Sequence, residues 1–262
     1  VVEHDAMGRE APGALHEYQK PVPGHNLILT LDETIQYFAE RELDNVVSNY
    51  DPKLAVAIVM NPKTGEILAM ANRPTFNPNS WTEAPKEVWD RNPAIWYNYE
   101  PGSTFKIITA SSALEVGAVQ PQDEFDDPGY IKVADRNIRC WKAGGHGHQT
   151  FEEVVQNSCN PGFIEVGLDL GIERFYKYIK AYGFGQPTEL NLPGEARGIM
   201  ISQKQATNLN IATMAIGQSI AVSPIQLITG VSAAVNGGNL MKPYLVKEIT
   251  DAEGKTVKEF KP

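Results

Sequence analysis

The sequence predicts an α+β fold in which an antiparallel sheet carries a lobe of helices on one side. Two apolar runs, residues 54–60 and 66–71, flank a short turn that contains glycine, which is typical of a β-hairpin. From Ser103 onwards the apolar residues follow helical spacing, and a strand pattern returns at residues 240–250. With 262 residues, 42% of them hydrophobic, the chain can bury one sizeable core and carry an accessory segment.

The first fifty residues combine a predicted linker with the first two elements. Residues 1–26 are rich in glycine, proline and charge, which is typical of a linker or of the end of a pedestal segment. Residues 27–31 form a short apolar run that predicts a strand. A helix is expected to follow as far as about Tyr50, because Asp32 or Thr34 can cap its amino terminus.

The middle of the chain changes from an irregular segment to a series of helices. Residues 76–99 contain several prolines and three of the four tryptophans, Trp81, Trp89 and Trp96. Because aromatic side chains in such a loop commonly pack over a core, we expect these three to be buried rather than to face a substrate. Helices are then expected at residues 103–117, 150–157, 161–170, 172–182, 203–216 and 224–236.

A serine and a lysine three residues apart, Ser103 and Lys106, form the most informative pattern in the chain. Pro101 and Gly102 interrupt the preceding segment, so Ser103 is expected in the first turn of a helix. There the unpaired backbone N–H groups and the helix dipole favour an oxyanion and help to lower the pKa of a nearby lysine. Residues three apart share a helix face, so we expect Lys106 within hydrogen-bond reach of Ser103 Oγ, as the general base of a serine nucleophile.

A second pair of polar residues, Ser158 and Asn160, follows the predicted helix at 150–157 and is expected to point into the same cleft. The S-x-x-K and S-x-N motifs together are typical of serine β-lactamases and penicillin-binding proteins. With these motifs and residues 61–70, 217–218 and 223–226, the chain resembles the transpeptidase domain of class B penicillin-binding proteins, most closely the sporulation type. The resemblance covers nearly the whole chain. It implies the penicillin-recognising fold, with the transpeptidase domain over residues 27–262.

The resemblance also implies a reaction that requires no cofactor. Ser103 would attack the carbonyl of the penultimate D-alanine of a peptidoglycan stem peptide while neutral Lys106 takes its proton, and an amine would resolve the acyl-serine ester to a cross-link. Ser158 would relay a proton to the departing amine, Asn160 would orient the acyl donor, and β-lactams would acylate Ser103. A hydrolytic relative, either a carboxypeptidase or a β-lactamase, and a catalytically incomplete scaffold or β-lactam-sensing domain stay open as alternatives.

The third motif of the family, K-[ST]-G on a strand that lines the cleft, has no match after Asn160. Lys63-Thr64-Gly65 matches it in letters, but it precedes the nucleophile and lies between two apolar runs, which predicts a hairpin turn. Lys255-Thr256 is followed by valine instead of glycine. The sequence is therefore interpreted as truncated before the third motif, which would also supply the second oxyanion donor beside the backbone N–H of Ser103.

Two cysteines and two histidines, Cys140, His146, His148 and Cys159, lie within twenty residues and include the middle residue of the S-x-N motif. Two thiolates and two imidazoles are ligands that zinc prefers, which predicts a structural Zn²⁺ site in which Asp135 could replace one histidine. The two cysteines could instead form a disulfide, which an extracytoplasmic compartment permits. Two buried free thiols are the third interpretation.

Charge and hydropathy restrict the partners. The net charge of −9 and the absence of a basic cluster argue against nucleic acid. No apolar run approaches the roughly 18 residues of a membrane span. The resemblance nonetheless implies a parent protein with an amino-terminal membrane anchor, its transpeptidase domain on the outer face of the bacterial cytoplasmic membrane, and a membrane glycan polymerase as partner.

Overall fold

A computed structural model describes residues 6, 7, 9, 21–190 and 192–261. The chain separates into two compact units, one made of residues up to Leu29 together with Val246–Lys261, the other of Thr30–Leu245. Most of the predicted linker lies outside the described residues, and its boundary with the domain at residue 27 stays a prediction.

The strands of the described residues are short and pair in antiparallel fashion. In the first unit β10 is the middle strand between β1 and β11, and in the second unit β2 pairs with β3, β4 with β7, β5 with β6 and β8 with β9. Their bounds are β1 (Asn26–Leu29), β2 (Ala55–Met60), β3 (Ile67–Arg73), β4 (Glu124–Asp127), β5 (Tyr130–Val133), β6 (Arg136–Arg139), β7 (Gly147–Thr150), β8 (Ile199–Met200), β9 (Ile220–Ala221), β10 (Val246–Thr250) and β11 (Thr256–Glu259).

The helices of the described residues all belong to the second unit. They are α1 (Glu33–Tyr50), α2 (Lys86–Trp89), α3 (Pro93–Trp96), α4 (Lys106–Glu115), α5 (Phe151–Gln156), α6 (Asn160–Ala181), α7 (Asn208–Ala215) and α8 (Pro224–Val235), with 3-10 turns at Pro78–Glu83, Gly102–Phe105 and Gln203–Gln205. The two helices expected at 161–170 and 172–182 are halves of α6, which Gly171 divides with a φ of +71°.

The first helix and the hairpin form as predicted. Asp32 caps α1, accepting a hydrogen bond from Ile35 N at 3.0 Å, and the helix packs against β2 and β3. Gln36 of α1 fastens the helix to β3, because its side chain accepts from Met70 N at 2.8 Å and donates to Met70 O at 3.2 Å.

Lys63-Thr64-Gly65 is a turn between β2 and β3, so the hairpin prediction for this segment is confirmed. Gly65 has a φ of +81° and donates its N–H to Asn61 O at 2.9 Å. A Cβ at this position would lie 2.4 Å from Lys242 O, so the glycine is required both by its conformation and by the close approach of another segment.

The main core lies among the helices of the second unit. There α4 packs against α6 and α8, and α6 packs against α7. The largest fully buried side chains of this core are aromatic, and their burial supplies much of the apolar contact that holds the lobe together. They are Phe105, Phe151, Phe163, Phe175, Tyr176 and Phe184.

Two expectations about secondary structure are only partly right, and two pairs of strands were missed. The helix expected at 203–216 begins at Asn208, because Thr207 and Asn210 form a capping box that stops it from extending backwards. The strand expected at 240–250 begins at Val246. The pairs β4–β7 and β5–β6 were not predicted, since strands of four residues are too short to show a clear alternation.

None of the three tryptophans is buried as expected: Trp89 is half-buried and the other two are exposed. Trp81 and Trp96 are 45% and 40% exposed. In the short helix α3 it is Pro93, Ala94 and Ile95 that are buried, so the neighbouring Trp96 lies on the outer face.

Candidate active site

Ser103 is exposed in the 3-10 turn that leads directly into α4, while Phe105 two residues later is fully buried. The turn is held from behind by a second segment, because Gly102 N donates to Gly217 O at 2.9 Å. A Cβ on Gly217 would lie 2.0 Å from Gly102 O, and Gly217 has a φ of +75°, so only glycine fits. The position of Ser103 thus depends on a contact with a residue more than a hundred positions away in sequence.

The residues just before the turn are held by the same distant segment. Tyr99 exchanges backbone hydrogen bonds with Val222, at 3.1 and 2.9 Å, and Glu100 Oε1 accepts from Ser219 N at 2.8 Å. These contacts place residues 217–222 beside the segment that leads into the S-x-x-K motif.

Lys106 is buried, with 3% of its surface exposed, and is the first residue of α4. Its Nζ lies 2.7 Å from Ser158 O, 3.1 Å from Ser158 Oγ and 2.7 Å from Asn160 Oδ1. Burial lowers the pKa of Lys106 to about 8, an effect that Cys159 and Cys140 oppose through their charge when ionised. A lysine with this pKa is partly neutral near pH 7.

The S-x-N motif lies at the junction of two helices. Ser158 has a φ of +49°, a conformation that L-residues rarely adopt, and Asn160 is the first residue of α6. Ser158 N donates to Val155 O at 3.1 Å and Asn160 Nδ2 donates to Arg139 O at 3.3 Å, so both ends of the motif are fixed by backbone groups. The left-handed turn brings the hydroxyl of Ser158 to Lys106.

Lys106, Ser158 and Asn160 therefore form one hydrogen-bonded group. The fourth predicted catalytic residue, Ser103, lies in the 3-10 turn that leads into α4. Within the described residues the hydrogen bonds of Lys106 Nζ go to the S-x-N motif and not to Ser103 Oγ, where the i, i+3 spacing had placed one. The catalytic roles of the four residues stay predictions.

Trp141 was missed by the sequence analysis. Its indole is 66% exposed, yet Nε1 donates to Asn157 O at 3.0 Å, and the ring lies edge-on to His146 with centroids 5.4 Å apart. An exposed tryptophan is thus fixed beside the S-x-N motif.

A cluster of four possible metal ligands lies behind the S-x-N motif. The donor atoms of Asp127, Cys140, His146 and Cys159 all lie within 4.8 Å of one another. His146 Nδ1 is 2.9 Å from Asp127 Oδ2 and 3.4 Å from Cys140 Sγ, and Cys159 Sγ is 3.3 Å from Asp127 Oδ2. The edges of a tetrahedral zinc site measure about 3.3–3.8 Å, so this donor set fits the ion in kind and nearly in spacing.

Asp127 is a buried carboxylate surrounded by hydrogen-bond donors. Burial alone would raise the pKa of Asp127, but hydrogen bonds from Cys140, His146, Gly129 N and Cys159 together hold it well below its usual range. Burial raises the pKa of Cys159 to about 12, so this thiol stays protonated unless a cation replaces its proton.

Two of the predicted ligands, His148 and Asp135, lie outside this cluster. His148 lies on the outward face of β7 with its side chain 67% exposed and its Nε2 3.5 Å from Glu124 Oε2, while Asp135 lies in the turn between β5 and β6. The carboxylate of the cluster is Asp127, because the β4–β7 register pairs it with Gly147, next to His146. The disulfide is likewise not formed: Cys140 and Cys159 are free buried thiols.

Comparison with known proteins identifies the family. The family model described as the penicillin-binding protein transpeptidase domain matches residues 55–262. The chain belongs to the penicillin-binding protein transpeptidase family. Among curated relatives, this transpeptidase domain is 48% identical over 260 residues to stage V sporulation protein D of Bacillus subtilis, covering 98% of the chain and 40% of that protein. It is 30% identical to the peptidoglycan D,D-transpeptidase FtsI of Escherichia coli K12, covering 86% of the chain and 37% of that protein.

Solved structures confirm the penicillin-recognising fold of this transpeptidase domain. Penicillin-binding protein 2X of Streptococcus thermophilus has a TM-score of 0.87 at 31% identity, with 100% of this chain and 38% of that chain covered. Penicillin-binding protein 3 of Mycobacterium tuberculosis, complexed with aztreonam, has a TM-score of 0.85 at 28% identity, with coverages of 99% and 60%. The chain spans about two fifths of the length of the curated relatives named above.

Among the described residues, no helix combines the length and the apolar character that a membrane span needs.

Proposed function

We propose that this transpeptidase domain cross-links peptidoglycan through an acyl-serine ester on Ser103, and that β-lactams acylate the same oxygen. The bond formed is that between Ser103 Oγ and the carbonyl carbon of the penultimate D-alanine, and the bond broken is the amide to the terminal D-alanine. The Ser103 proton passes to Lys106 and leaves with the amine of the departing D-alanine. An amine of a second stem peptide then displaces Ser103 and restores its proton.

The observation that carries this proposal is the set of partners around Lys106 Nζ. A neutral amine has two N–H donors and one lone pair. Ser158 O and Asn160 Oδ1, each at 2.7 Å, are acceptors and take the two N–H groups. The lone pair is then left for a hydroxyl, either that of Ser158 at 3.1 Å or that of the nucleophile once substrate is bound. These oxygens can also accept from the three N–H groups of the ammonium form, so the lysine can lie here in either protonation state. In its neutral form it can receive a proton from one serine and return it through the other.

Asn160 is fixed in the orientation that substrate binding needs. Its Oδ1 accepts from Lys106 and one N–H of Nδ2 points to Arg139 O, so the amide cannot turn over without losing both contacts. We assign the second N–H of Nδ2 to the peptide carbonyl of the acyl donor, which positions the scissile bond against Ser103.

The cluster of Asp127, Cys140, His146 and Cys159 is proposed to hold a structural Zn²⁺ ion. The ion would fix Cys159, the middle residue of the S-x-N motif, from behind and would compensate for the burial of Asp127, which is 1% exposed. Metal analysis of the purified protein should find about one zinc per chain. His146→Ala should lose it, and His148→Ala, which alters a histidine two residues away outside the cluster, should keep it. Loss of zinc in both variants or in neither would contradict this ligand set.

The resemblance and the relatives support the cellular part of the proposal. FtsI of Escherichia coli is named a peptidoglycan D,D-transpeptidase, and the relative from Bacillus subtilis is named for sporulation. We place the domain on the outer face of the bacterial cytoplasmic membrane, in a parent protein with an amino-terminal anchor and a glycan polymerase as partner.

The test of function is an acyl-transfer assay with a synthetic stem-peptide thioester as donor and a D-amino acid as acceptor. The expected product is the aminolysis product. Ser103→Ala should lose it, whereas Ser111→Ala, which alters a serine within α4, should retain it. Hydrolysis alone, with no transfer to the acceptor, would favour a carboxypeptidase or β-lactamase. A folded protein that gives neither product would favour a scaffold.

A further inference from the structure

A groove of about 520 Å³ opens along the hairpin β5–β6 and the loop that follows it. Two cations, Arg139 and Lys142, line this groove together with the polar side chains of Tyr130 and Asn137. None of the described residues that line it is an aspartate or a glutamate. We call it the basic groove, because both charged groups in its lining are positive.

The alternation of the hairpin explains why these side chains share one face. Val133 and Ile138 pack with the main core, so the residues next to them along each strand point outwards. The register pairs Tyr130 with Arg139, and both are exposed. Lys132 lies two residues beyond Tyr130 on β5 and is also exposed, so a third cation stands on the outward face.

The three cations have no carboxylate partner. In the part of the chain that the structure describes, Arg139, Lys142 and Lys132 take part in no ion pair, whereas Arg73 is paired with Asp44 at 2.6 Å. The chain as a whole has a net charge of −9, so this face is positive against the sign of the molecule. Like charges on one face repel each other, and a bound anion removes that repulsion.

The backbone of Arg139 joins the basic groove to the residue that we assign to the acyl donor. Asn160 Nδ2 donates to Arg139 O at 3.3 Å, and the next residue, Cys140, donates its N–H to Gly129 O at 2.9 Å. Arg139 is therefore fixed between β5 and the S-x-N motif. A donor peptide whose carbonyl is held by Asn160 has the basic groove next to it.

The chemistry of the lining selects the class of ligand. A guanidinium group matches a carboxylate with two parallel N–H···O hydrogen bonds, which a single ammonium cannot do. The hydroxyl of Tyr130 and the amide of Asn137 add neutral donors for the same oxygens. A peptide carboxylate thus suits both the charge and the donor geometry of the groove.

We propose that the basic groove binds a carboxylate of the acyl-donor strand and that Arg139 is its main partner. The carboxylate would lie on the amino-terminal side of the scissile bond, because the carbonyl assigned to Asn160 precedes the penultimate D-alanine. This inference rests on the function proposed above. It adds to that function a preference for donor peptides that carry a negative charge at this place.

The test compares two Nα-acetyl-lysyl-D-alanyl thioesters as donors, with a D-amino acid as acceptor. One donor carries a succinyl group on the lysine Nε and ends in a carboxylate; the other carries a succinamoyl group and ends in a carboxamide. The measured quantity is the ratio of kcat/KM for the two donors, in which any general damage to the active site cancels. We expect the unaltered protein to prefer the carboxylate donor about tenfold, as for one charge-assisted hydrogen bond.

Variants of one residue locate the preference. Arg139→Gln should bring the ratio close to one, and Arg139→Lys, which keeps the charge but loses the two-pronged geometry, should leave a ratio of about three. Arg174→Gln is the matched control, because it removes the same charge from an exposed position on α6 outside the groove. It should leave the ratio near ten.

Three results would overturn the proposal. One is a ratio near one in the unaltered protein, and another is a ratio that Arg139→Gln leaves unchanged. The third is an equal fall in Arg174→Gln, which would show an effect of net charge and not of the groove.

Failure of the proposed reaction can be told apart from failure of this inference. If neither donor reacts, the reaction fails, and the groove is tested by calorimetric titration of Ser103→Ala with the corresponding two peptides that end in D-alanyl-D-alanine. The carboxylate peptide should bind about tenfold more tightly than the carboxamide peptide. Equal affinities would overturn the inference.

Discussion

The burial of Lys106 predicts a specific dependence of acylation on pH. Its pKa is lowered from 10.5 to about 8, mainly because burial disfavours the ammonium form. At pH 7 a lysine with a pKa of about 8 is roughly one tenth neutral, whereas one with the ordinary value is neutral in about one molecule in 3,000. Burial therefore increases the concentration of the proposed base about 300-fold, which corresponds to roughly 3 kcal/mol.

The assay is the rate of acylation of Ser103 by a fluorescent penicillin, measured between pH 5.5 and pH 9.5. The neutral base is lost as pH falls through the pKa of the folded protein, so the rate should drop about tenfold per unit below pH 7 and level off above about pH 8.5. Lys106→Arg is the matched variant, because guanidinium keeps the positive charge but cannot accept a proton at these pH values.

Two results would refute this reasoning. One is a rate that does not change between pH 6 and pH 8, which would mean that the base titrates elsewhere. The other is a Lys106→Arg variant that is acylated as fast as the unaltered protein, since its side chain cannot act as a base. Thermal unfolding of the variant at pH 7 checks that any loss is not a loss of fold.

Three further predictions concern packing around the site and in the core. Gly217→Ala should destabilise the protein by about 3 kcal/mol or more, because its Cβ would lie 2.0 Å from a backbone oxygen. Gly144→Ala, also at positive φ but in open space, should cost only about 1 kcal/mol. Urea unfolding compares the two variants, and equal losses of stability would contradict the predicted clash. Thr109→Val should cost about 1–3 kcal/mol because it leaves a buried carbonyl unpaired, while Thr229→Val should be neutral or stabilising, and an equal loss in both would show that the second hydroxyl is paired after all. Trp141→Ala should lower the second-order rate constant for acylation by benzylpenicillin about tenfold or more if the indole contacts the bound drug, while the melting temperature changes little because 66% of its surface is exposed. An unchanged rate constant would show that the indole does not contact the drug.

Local chemistry explains which parts of the fold were predictable. Asp32 as a helix cap, the Lys63-Thr64-Gly65 turn and the helices α4, α6 and α8 follow from capping, turn residues and apolar spacing, all of which act over a few residues. The short strands β4 to β7 do not, because each is held by its partner across the sheet rather than by its own pattern.

The candidate site divides in the same way. Spacing alone placed Ser103 and Lys106 on one turn, and the S-x-N motif was found by its letters. The carboxylate of the four-residue cluster was not predicted, because Asp127 reaches His146 only through the register of β4 with β7, which no local pattern encodes. The exposed position of Trp141 was equally beyond reach, since it depends on a hydrogen bond to Asn157 from a neighbouring loop.

The most direct test of the central claim is intact-mass spectrometry of the protein before and after incubation with benzylpenicillin. We expect a stable increase of one penicillin mass per chain, absent from Ser103→Ala and present in Ser111→Ala, and peptide mapping should place the added mass on the segment that contains Ser103. A folded protein that stays unmodified, or an adduct that persists in Ser103→Ala, would contradict the assignment of Ser103 as the nucleophile.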